Sequence, residues 1–366
     1  VYDAIVIGGG LVGSAIAYGM ARELAHIAVL DEGDVAYRAS RGNFGLVWVQ
    51  SKGMGMPAYG QWTMTSQRLW RQLADELLAL TGIDVHLEQR GGLHAVLTEE
   101  EYEARVSFMT RLQDQPGMAQ YPWKMLDRKE AAEMVPGLGP DVLGASWTPV
   151  DGIANPLKLL RALHTALDLN GMDYLPQHGA TGIALRDGVY HVATPQGEIQ
   201  GRKLVLASGL SNKVLGAQVG LDIPVRPQRG QIIVLERTRR VLETPFSTLR
   251  QMDEGSWLIG DSQEEMGYAD QATGLPVLAT LADRAVRTLP ALRDVRTVRA
   301  WAALRVMSKD GFPIYEQSVT HPQAFVATCH SGVTLAAAHA LDYSSMVVAG
   351  KLDEKMAPFS TRRFHV

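Results

Sequence analysis

Apolar residues dominate the start of the chain: "DAIVIGGGLVGSAIA" (3–17) is hydrophobic through Ile7, breaks at three glycines, and resumes with small apolar residues. Residues 3–7 are apolar on both faces, which predicts a strand buried in a parallel sheet. Residues 11–24 predict a helix that packs through Leu11, Val12, Ala15, Ile16 and Met20. Residues 26–31, "HIAVLD", predict a second strand. The three form a β-α-β unit, which is right-handed in nearly all proteins.

Further along, residues 38–56 are rich in Gly, Ser and Asn and read as an extended loop. Residues 59–80 carry Trp62, Leu69, Trp70, Leu73 and Leu77 at helical spacing, with Gly82 as a stop. A strand is expected at 92–97, then a helix to about 114 opened by a Thr98/Glu101 capping box. Asn155-Pro156 is an N-cap followed by proline at the first helical position, and Gly171 ends that helix. Residues 172–206 suggest short strands with turns at Asp187-Gly188 and Gln196-Gly197. Strands "GQIIVLE" and "GSWLIG", a helix near 275–288, a strand at 323–328 and a last helix over 333–349 complete the pattern.

The strand-then-turn style of the first unit returns at "KLVLASG" (203–209) and "AFVATCHSG" (324–332). That predicts a mixed α/β fold: a discontinuous Rossmann-like nucleotide domain (1–82, 145–220 and 318–366) with a more antiparallel domain (83–144 and 221–317) inserted.

Composition removes several function classes. The net charge of −4 gives no basic field for nucleic acid or anionic lipid. No apolar run reaches the roughly 18 residues that span a bilayer. The first strand begins almost at residue 1, so the sequence as given leaves no room for a cleaved leader, and a cytoplasmic location is expected. The one cysteine, Cys329, makes no internal disulfide, and the histidines show no metal-ligand spacing.

Gly8, Gly10 and Gly13 match G-x-G-x-x-G between a strand and a helix. The first permits a tight turn, the second lets a pyrophosphate approach the backbone, and the third lets helix pack on strand. Asp31 follows Gly8 by 23 residues, placed to bond an adenosine ribose, and Glu32 adjoins it. The loop points to a dinucleotide without choosing between NAD and FAD.

Four ordered stretches make that choice: "EGDVAYRASRGNFG" (32–45), "KLVLASGLS" (203–211), "AALRVMSKDGFPIY" (302–315) and "ATCHSGVTLAAA" (327–338). Together they resemble the D-amino-acid-oxidase-type superfamily of FAD enzymes, which includes glycine oxidase, sarcosine oxidase and several amino-acid dehydrogenases. The stretch "ASRGNFGLVWVQSKG" (39–53) is most similar to the catalytic β subunits of opine oxidases and to D-hydroxyproline dehydrogenases. The resemblance implies a glutathione-reductase-like FAD-binding domain, non-covalent FAD, and redox partner subunits in a hetero-oligomer. It places Gly8, Gly10, Leu11 and Val12 at the pyrophosphate turn, and Asp31 and Glu32 at the ribose. Ser40, Arg41 and Asn43 fall along the pyrophosphate and ribityl chain; Gly45, Leu46 and Val47 fall along the flavin edge. Ala180 falls near the adenine, Ala207 and Gly209 form a second turn, and Gly332, Val333 and Thr334 open the last helix toward the flavin.

Oxidising an amino acid at its α-carbon needs orientation more than acid–base machinery: a neutral amine expels hydride, and flavin N5 accepts it. A carboxylate in a water-poor pocket calls for a guanidinium. Arg305 matches the family's carboxylate-binding arginine, and its apolar flanks argue against a surface charge. His330 is a candidate for polarising substrate or flavin, or a structural hydrogen bonder. Lys52, Tyr59, Trp62 and Tyr268 are substrate-pocket candidates, as is Trp48; each aromatic also suits ordinary packing. Cys329 reads as a strand-end thiol, because the family's flavin tether falls near Met307 instead. Leu258 stands where oxygen-reactive relatives carry a lysine, which favours a dehydrogenase over an oxygen-using glycine- or D-amino-acid-type oxidase. A non-catalytic FAD-binding assembly subunit is the alternative from another class, and Arg305 weighs against it.

Overall fold

The computed structural model describes residues 1–33, 38–260, 262–265, 267 and 272–365. The opening β-α-β unit is present as β1 (Tyr2–Ile7), α1 (Leu11–Met20) and β2 (Ile27–Leu30). The helix is shorter than the 11–24 expected. Arg22 and Glu23 N–H groups bond three residues back, so the last turn tightens and leaves the α-helix.

β1 lies at the centre of a parallel array. The order is Ala324–Thr328, Gly197–Leu206, β1, β2, Asp173–Leu175. Alternate residues of these strands enter different cores, as period two requires. Ala4 and Val6 join Val29, Val205 and Phe325 under α1 and the helices Pro57–Thr81 and Pro156–Leu169. Ile5 and Ile7 join Leu30, Leu206 and Val326 on the other face. Burial on both faces explains the unbroken apolar runs. Every parallel strand points its carboxyl end the same way. Gly8, Asp31, Ala207 and Cys329 therefore emerge at one edge of the sheet.

Over that edge sits a four-stranded antiparallel sheet, ordered Leu249–Gln251, Trp257–Ile259, Val225–Leu235, Thr297–Ser308. A three-stranded sheet, Gly92–Val96, Gly144–Thr148, Lys124–Asp127, shares its core through Leu93, Ala145, Ile233 and Trp257. The expected domain limits at 145 and 317 fall inside this pairing. Gly144–Thr148 belongs with the small antiparallel sheet, and Ile314–Gln317 pairs antiparallel with Ala324–Thr328 at the end of the large one. Backbone pairing decides membership here, and neither strand carries a sequence mark of its partner.

The caps follow the sequence. Asn155 Oδ1 accepts from Lys158 N–H and Thr98 Oγ1 from Glu101 N–H. Glu101 turns its carboxylate to Leu97 N–H and Arg284, so the expected box is only half built. The last helix departs from expectation. Residues 332–335 form turns, α-helix begins at Ala336, and residues His339–Tyr343 wind as a π-helix before Ser344–Ala349.

Candidate active site

A cavity of about 740 Å³ runs along the carboxyl ends of the parallel strands and under the antiparallel sheet. One part of it is a glycine cradle. Gly8 has φ +109°, and a Cβ there would lie 2.4 Å from the Ala207 carbonyl oxygen. A Cβ on Gly13 would lie 1.9 Å from the Gly8 carbonyl oxygen. Asp31 Oδ2 accepts from Gly9 N–H at 2.7 Å and Oδ1 from Gly33 N–H at 2.9 Å, which fixes the carboxylate at the cavity edge. Ser40 Oγ accepts the first N–H of α1, from Leu11, at 2.9 Å. Glu32 pairs with Arg38 at the rim, and Gly179 and Ala180 also line the cavity.

These features fit a dinucleotide. The backbone is bare where a pyrophosphate must approach, the positive end of α1 faces it, and an acid waits beyond. One observation reaches further along. Asn43 donates to the Ser40 carbonyl at 2.9 Å, while its buried Oδ1 has no protein partner among the described residues. Such an acceptor fits a ligand hydroxyl like those of a ribityl chain.

The loop carrying Asn43 is held from behind. Thr334 Oγ1 donates to the Leu46 carbonyl at 3.1 Å and accepts from Trp48 N–H at 3.2 Å, tying the loop to the turn that opens the last helix. Arg250 is buried to 1% exposure and donates to the carbonyls of Gly45 (2.6 Å) and Ala154 (3.1 Å). Burial lowers its pKa to about 10. Arg250 was not visible from sequence as a site residue. Neither were His164 and Tyr174, whose rings stack at 4.3 Å, with His164 Nε2 2.8 Å from the Gly9 carbonyl.

The part under the antiparallel sheet carries polar and charged groups. Val225–Leu235 and Thr297–Ser308 run antiparallel with Gln228 opposite Arg305 and Gly230 opposite Ala303, so these residues share the cavity face. Arg305 Nη1 donates to the Ser262 carbonyl at 2.7 Å. The guanidinium lies across Gly230, where a Cβ would stand 2.6 Å from its carbon. Gly230 is thus a requirement for the position of Arg305. His330 follows the last parallel strand, and its Nε2 is 3.2 Å from Lys52 Nζ. Desolvation first, then Lys52 and Arg305, push its pKa well below the ordinary value, so the ring is neutral. Lys52 also donates to Ser331 Oγ at 3.1 Å, and Ser331 Oγ lies 2.7 Å from the Tyr59 hydroxyl. Cys329 lines the cavity half-buried, its thiol raised to about 12 by burial. A thiol so protonated is a packing group rather than a nucleophile.

Behind Lys52 lies a buried carboxylate. Asp151 accepts from the N–H groups of Val49 (2.6 Å) and Gln50 (3.2 Å), and Arg105 holds Ser51 Oγ at 2.7 Å. Burial raises the Asp151 pKa from 3.8 to about 7, against the lowering effect of those bonds. Between these values the folded chain keeps a proton that the open chain has lost, so this group's contribution to stability falls as pH rises from about 4 to about 7. Asp151→Asn is expected to flatten that decline; melting temperatures measured across this range for both proteins check it.

Of the expected site residues, Gly8, Gly10, Leu11, Val12, Asp31, Glu32, Ser40, Arg41, Asn43, Gly45, Leu46, Ala180, Ala207, Gly209, Arg305, His330, Gly332, Val333, Thr334 and Lys52 all line the cavity, as does Trp48. Val47 does not: it is fully buried, pairing with Gly152, because the alternation of its strand turns it inward. Tyr59 and Trp62 sit behind the wall. Trp62 Nε1 donates to the Tyr315 hydroxyl at 3.1 Å, while Tyr59 bonds Ser331 Oγ and sets its ring edge-on to His330, 6.5 Å between centroids. Tyr268 lies outside the described residues. Leu258 is buried against Ile232 and Met252 and does not line the cavity. Lys52 and Arg305 bring positive charge to the cavity from other elements. Among the described residues no helix is long and apolar enough to cross a membrane.

Comparison with known proteins agrees with this geometry. A family model described as FAD dependent oxidoreductase (DAO) matches residues 3–344. The chain is 42% identical to an opine oxidase subunit of Agrobacterium tumefaciens (strain Ach5), over 99% of this chain and 98% of that one. It is 26% identical to glycine oxidase of Bacillus subtilis (strain 168), over 96% of this chain and 95% of that one. The crystal structure of glycine oxidase from Geobacillus kaustophilus matches with a TM-score of 0.88 at 26% identity, covering 98% of each chain.

Proposed function

Because the chain belongs to the DAO family of FAD dependent oxidoreductases, we propose that it oxidises the C–N bond of an amino or imino acid, of the opine type, held through its carboxylate by Arg305. Bound FAD supplies the hydride acceptor. The protein supplies position and electrostatics. The loop from Asn43 to Trp48, pinned by Arg250 and Thr334, forms one wall. The turn at Gly332–Thr334 forms another. Arg305 offers a planar fork to a carboxylate from a strand position that Gly230 leaves clear. His330, kept neutral, offers hydrogen bonding without a further charge.

The observation that carries the reading is Arg305 in the wall of the same cavity as the dinucleotide cradle. The opine assignment, and electron transfer to partner subunits, draw support from two relatives that are named as subunits of opine oxidase, at 42% and 41% identity. A second reading, direct use of oxygen, draws support from the glycine oxidase relatives and from the cations of the cavity.

Anaerobic titration of the flavin-loaded protein with octopine, nopaline, D-hydroxyproline, sarcosine and D-amino acids tests the function. The visible flavin band is expected to bleach with an N-substituted amino acid. No bleaching with any of them sinks the reading. Repeating turnover with oxygen and with a dye acceptor separates the two electron routes: a dehydrogenase turns over far faster with the dye.

A further inference from the structure

Two side chains in the cavity wall carry polar atoms that the protein leaves unbonded. Gly92 and His94 leave one face of the strand Gly92–Val96, and Leu93 between them enters the core on the other. The Trp48 ring lies across Gly92, where a Cβ would stand 2.3 Å from its Cη2, so indole and imidazole share that face. Both line the cavity. Trp48 is 6% exposed, and among the described residues its Nε1–H meets no protein acceptor. A buried indole N–H ordinarily has one.

A neighbouring segment orients His94. Leu93 N–H donates to the Pro245 carbonyl and Ser247 N–H to the Leu93 carbonyl, which lays residues 245–247 along the strand. Ser247 Oγ then stands 2.9 Å from His94 Nδ1. Among the described residues that is the only side-chain bond of either residue, so His94 Nε2 is left over. Desolvation first, then Arg105 and Arg284, push the His94 pKa to about 3, and the ring is uncharged. An uncharged imidazole has one donor and one acceptor. Whichever nitrogen holds the proton, the His94–Ser247 pair keeps one donor and one acceptor for a ligand, and both residues line the cavity.

The indole offers only a donor, so a group that answers both side chains carries an acceptor atom. We propose that Trp48 and His94 form a specificity subsite that reads the far end of a substrate arm through an oxygen there, a hydroxyl or a carbonyl. This rests on the reading above that Arg305 holds the substrate's carboxylate. It adds the residues that select the remainder of the molecule. An arm ending in a methyl group fills the same space and leaves indole and imidazole unpaired.

The test uses pairs of thioether acids, whose sulfur replaces the oxidisable amine: (2-hydroxyethylthio)acetate against (propylthio)acetate, and the same pair with arms one and two carbons longer. Members of a pair differ by hydroxyl against methyl. Each is titrated into the flavin-loaded protein, and Kd is read from the change in the flavin spectrum. In at least one pair the hydroxyl compound is expected to bind about tenfold tighter, the reverse of what an apolar pocket gives. His94→Leu is expected to remove that preference and His94→Gln to restore part of it. A preference below about threefold in every pair, or one that survives in His94→Leu, overturns the proposal. If His94→Leu fails to hold flavin, Trp48→Phe takes its place under the same criterion. Arg305→Ala tests the reading beneath: it should weaken both members of each pair and leave their ratio. Unchanged binding of both members there removes the Arg305 clamp, while the ratio still decides the subsite.

Discussion

Arg305→Ala is expected to raise KM for the amino-acid substrate by roughly 30-fold to several thousand-fold, since truncating one member of a desolvated charge pair costs about 2–5 kcal/mol. Flavin content should stay near one per chain. The side chain is bonded to Ser262 and lies over Gly230, while the dinucleotide cradle is built from Gly8–Val12, Asp31 and Ser40. Arg305→Lys keeps the charge and loses the planar fork, so it should fall between wild type and Arg305→Ala. Steady-state kinetics with the bleaching substrate, together with the ratio of flavin to protein, check both variants. Loss of flavin in step with loss of activity would mean that Arg305 supports the fold rather than the substrate.

Gly13→Ala should abolish cofactor binding. The added methyl would stand 1.9 Å from the Gly8 carbonyl oxygen, a backbone atom that cannot rotate away. Helix α1 must then leave strand β1, and the turn between them opens. Overpacking of this kind ordinarily costs about 1–3 kcal/mol, and more where backbone must move. Purified protein should carry flavin on less than about a tenth of its chains and melt several degrees lower. Gly10→Ala is a useful contrast. Its methyl would meet Ser40 Oγ at 2.6 Å, and a serine hydroxyl can turn aside at the cost of one bond to Leu11 N–H. Partial flavin loading is expected there. Equal loading of the two variants would show that the steric argument at Gly13 is mistaken.

The first unit of the fold was legible because its signals are local. A two-faced apolar strand, three glycines and an acid all fall within about thirty residues, and each constrains the next. The later strand-turn segments were legible as echoes of that style. Of the small antiparallel sheet only Gly92–Val96 was, as the strand expected at 92–97. Lys124–Asp127 shows no alternation, and Gly144–Thr148 pairs across some fifty residues with Gly92–Val96. Pairing at that distance leaves no periodic trace.

The site divides in the same way. Arg305 was legible through its motif, but the glycine it lies across was not, since contact between Gly230 and Arg305 depends on the strand register. Lys52 was legible only as a substrate-pocket candidate. Its place beside His330 joins residues 278 apart in sequence. Trp62 took the second of its two readings, ordinary packing. An aromatic on a helix announces burial, not which side of a wall it is buried on. Arg250 gave no signal either, because a charged residue in a strand reads as exposed until its two carbonyl partners are seen.

The cavity's walls come from residues 8–12, 38–52, 207–211 and 327–334, nearly the full span of the chain. FAD seated there belongs to the folded chain and has no equivalent site on the open one. Its binding free energy is therefore also folding free energy, about 4 kcal/mol when free cofactor stands a thousandfold above its Kd. That is a large share of the roughly 5–15 kcal/mol that separates folded from unfolded states. Flavin supply thus governs how much of this protein survives as folded chain, apart from how fast any one copy works.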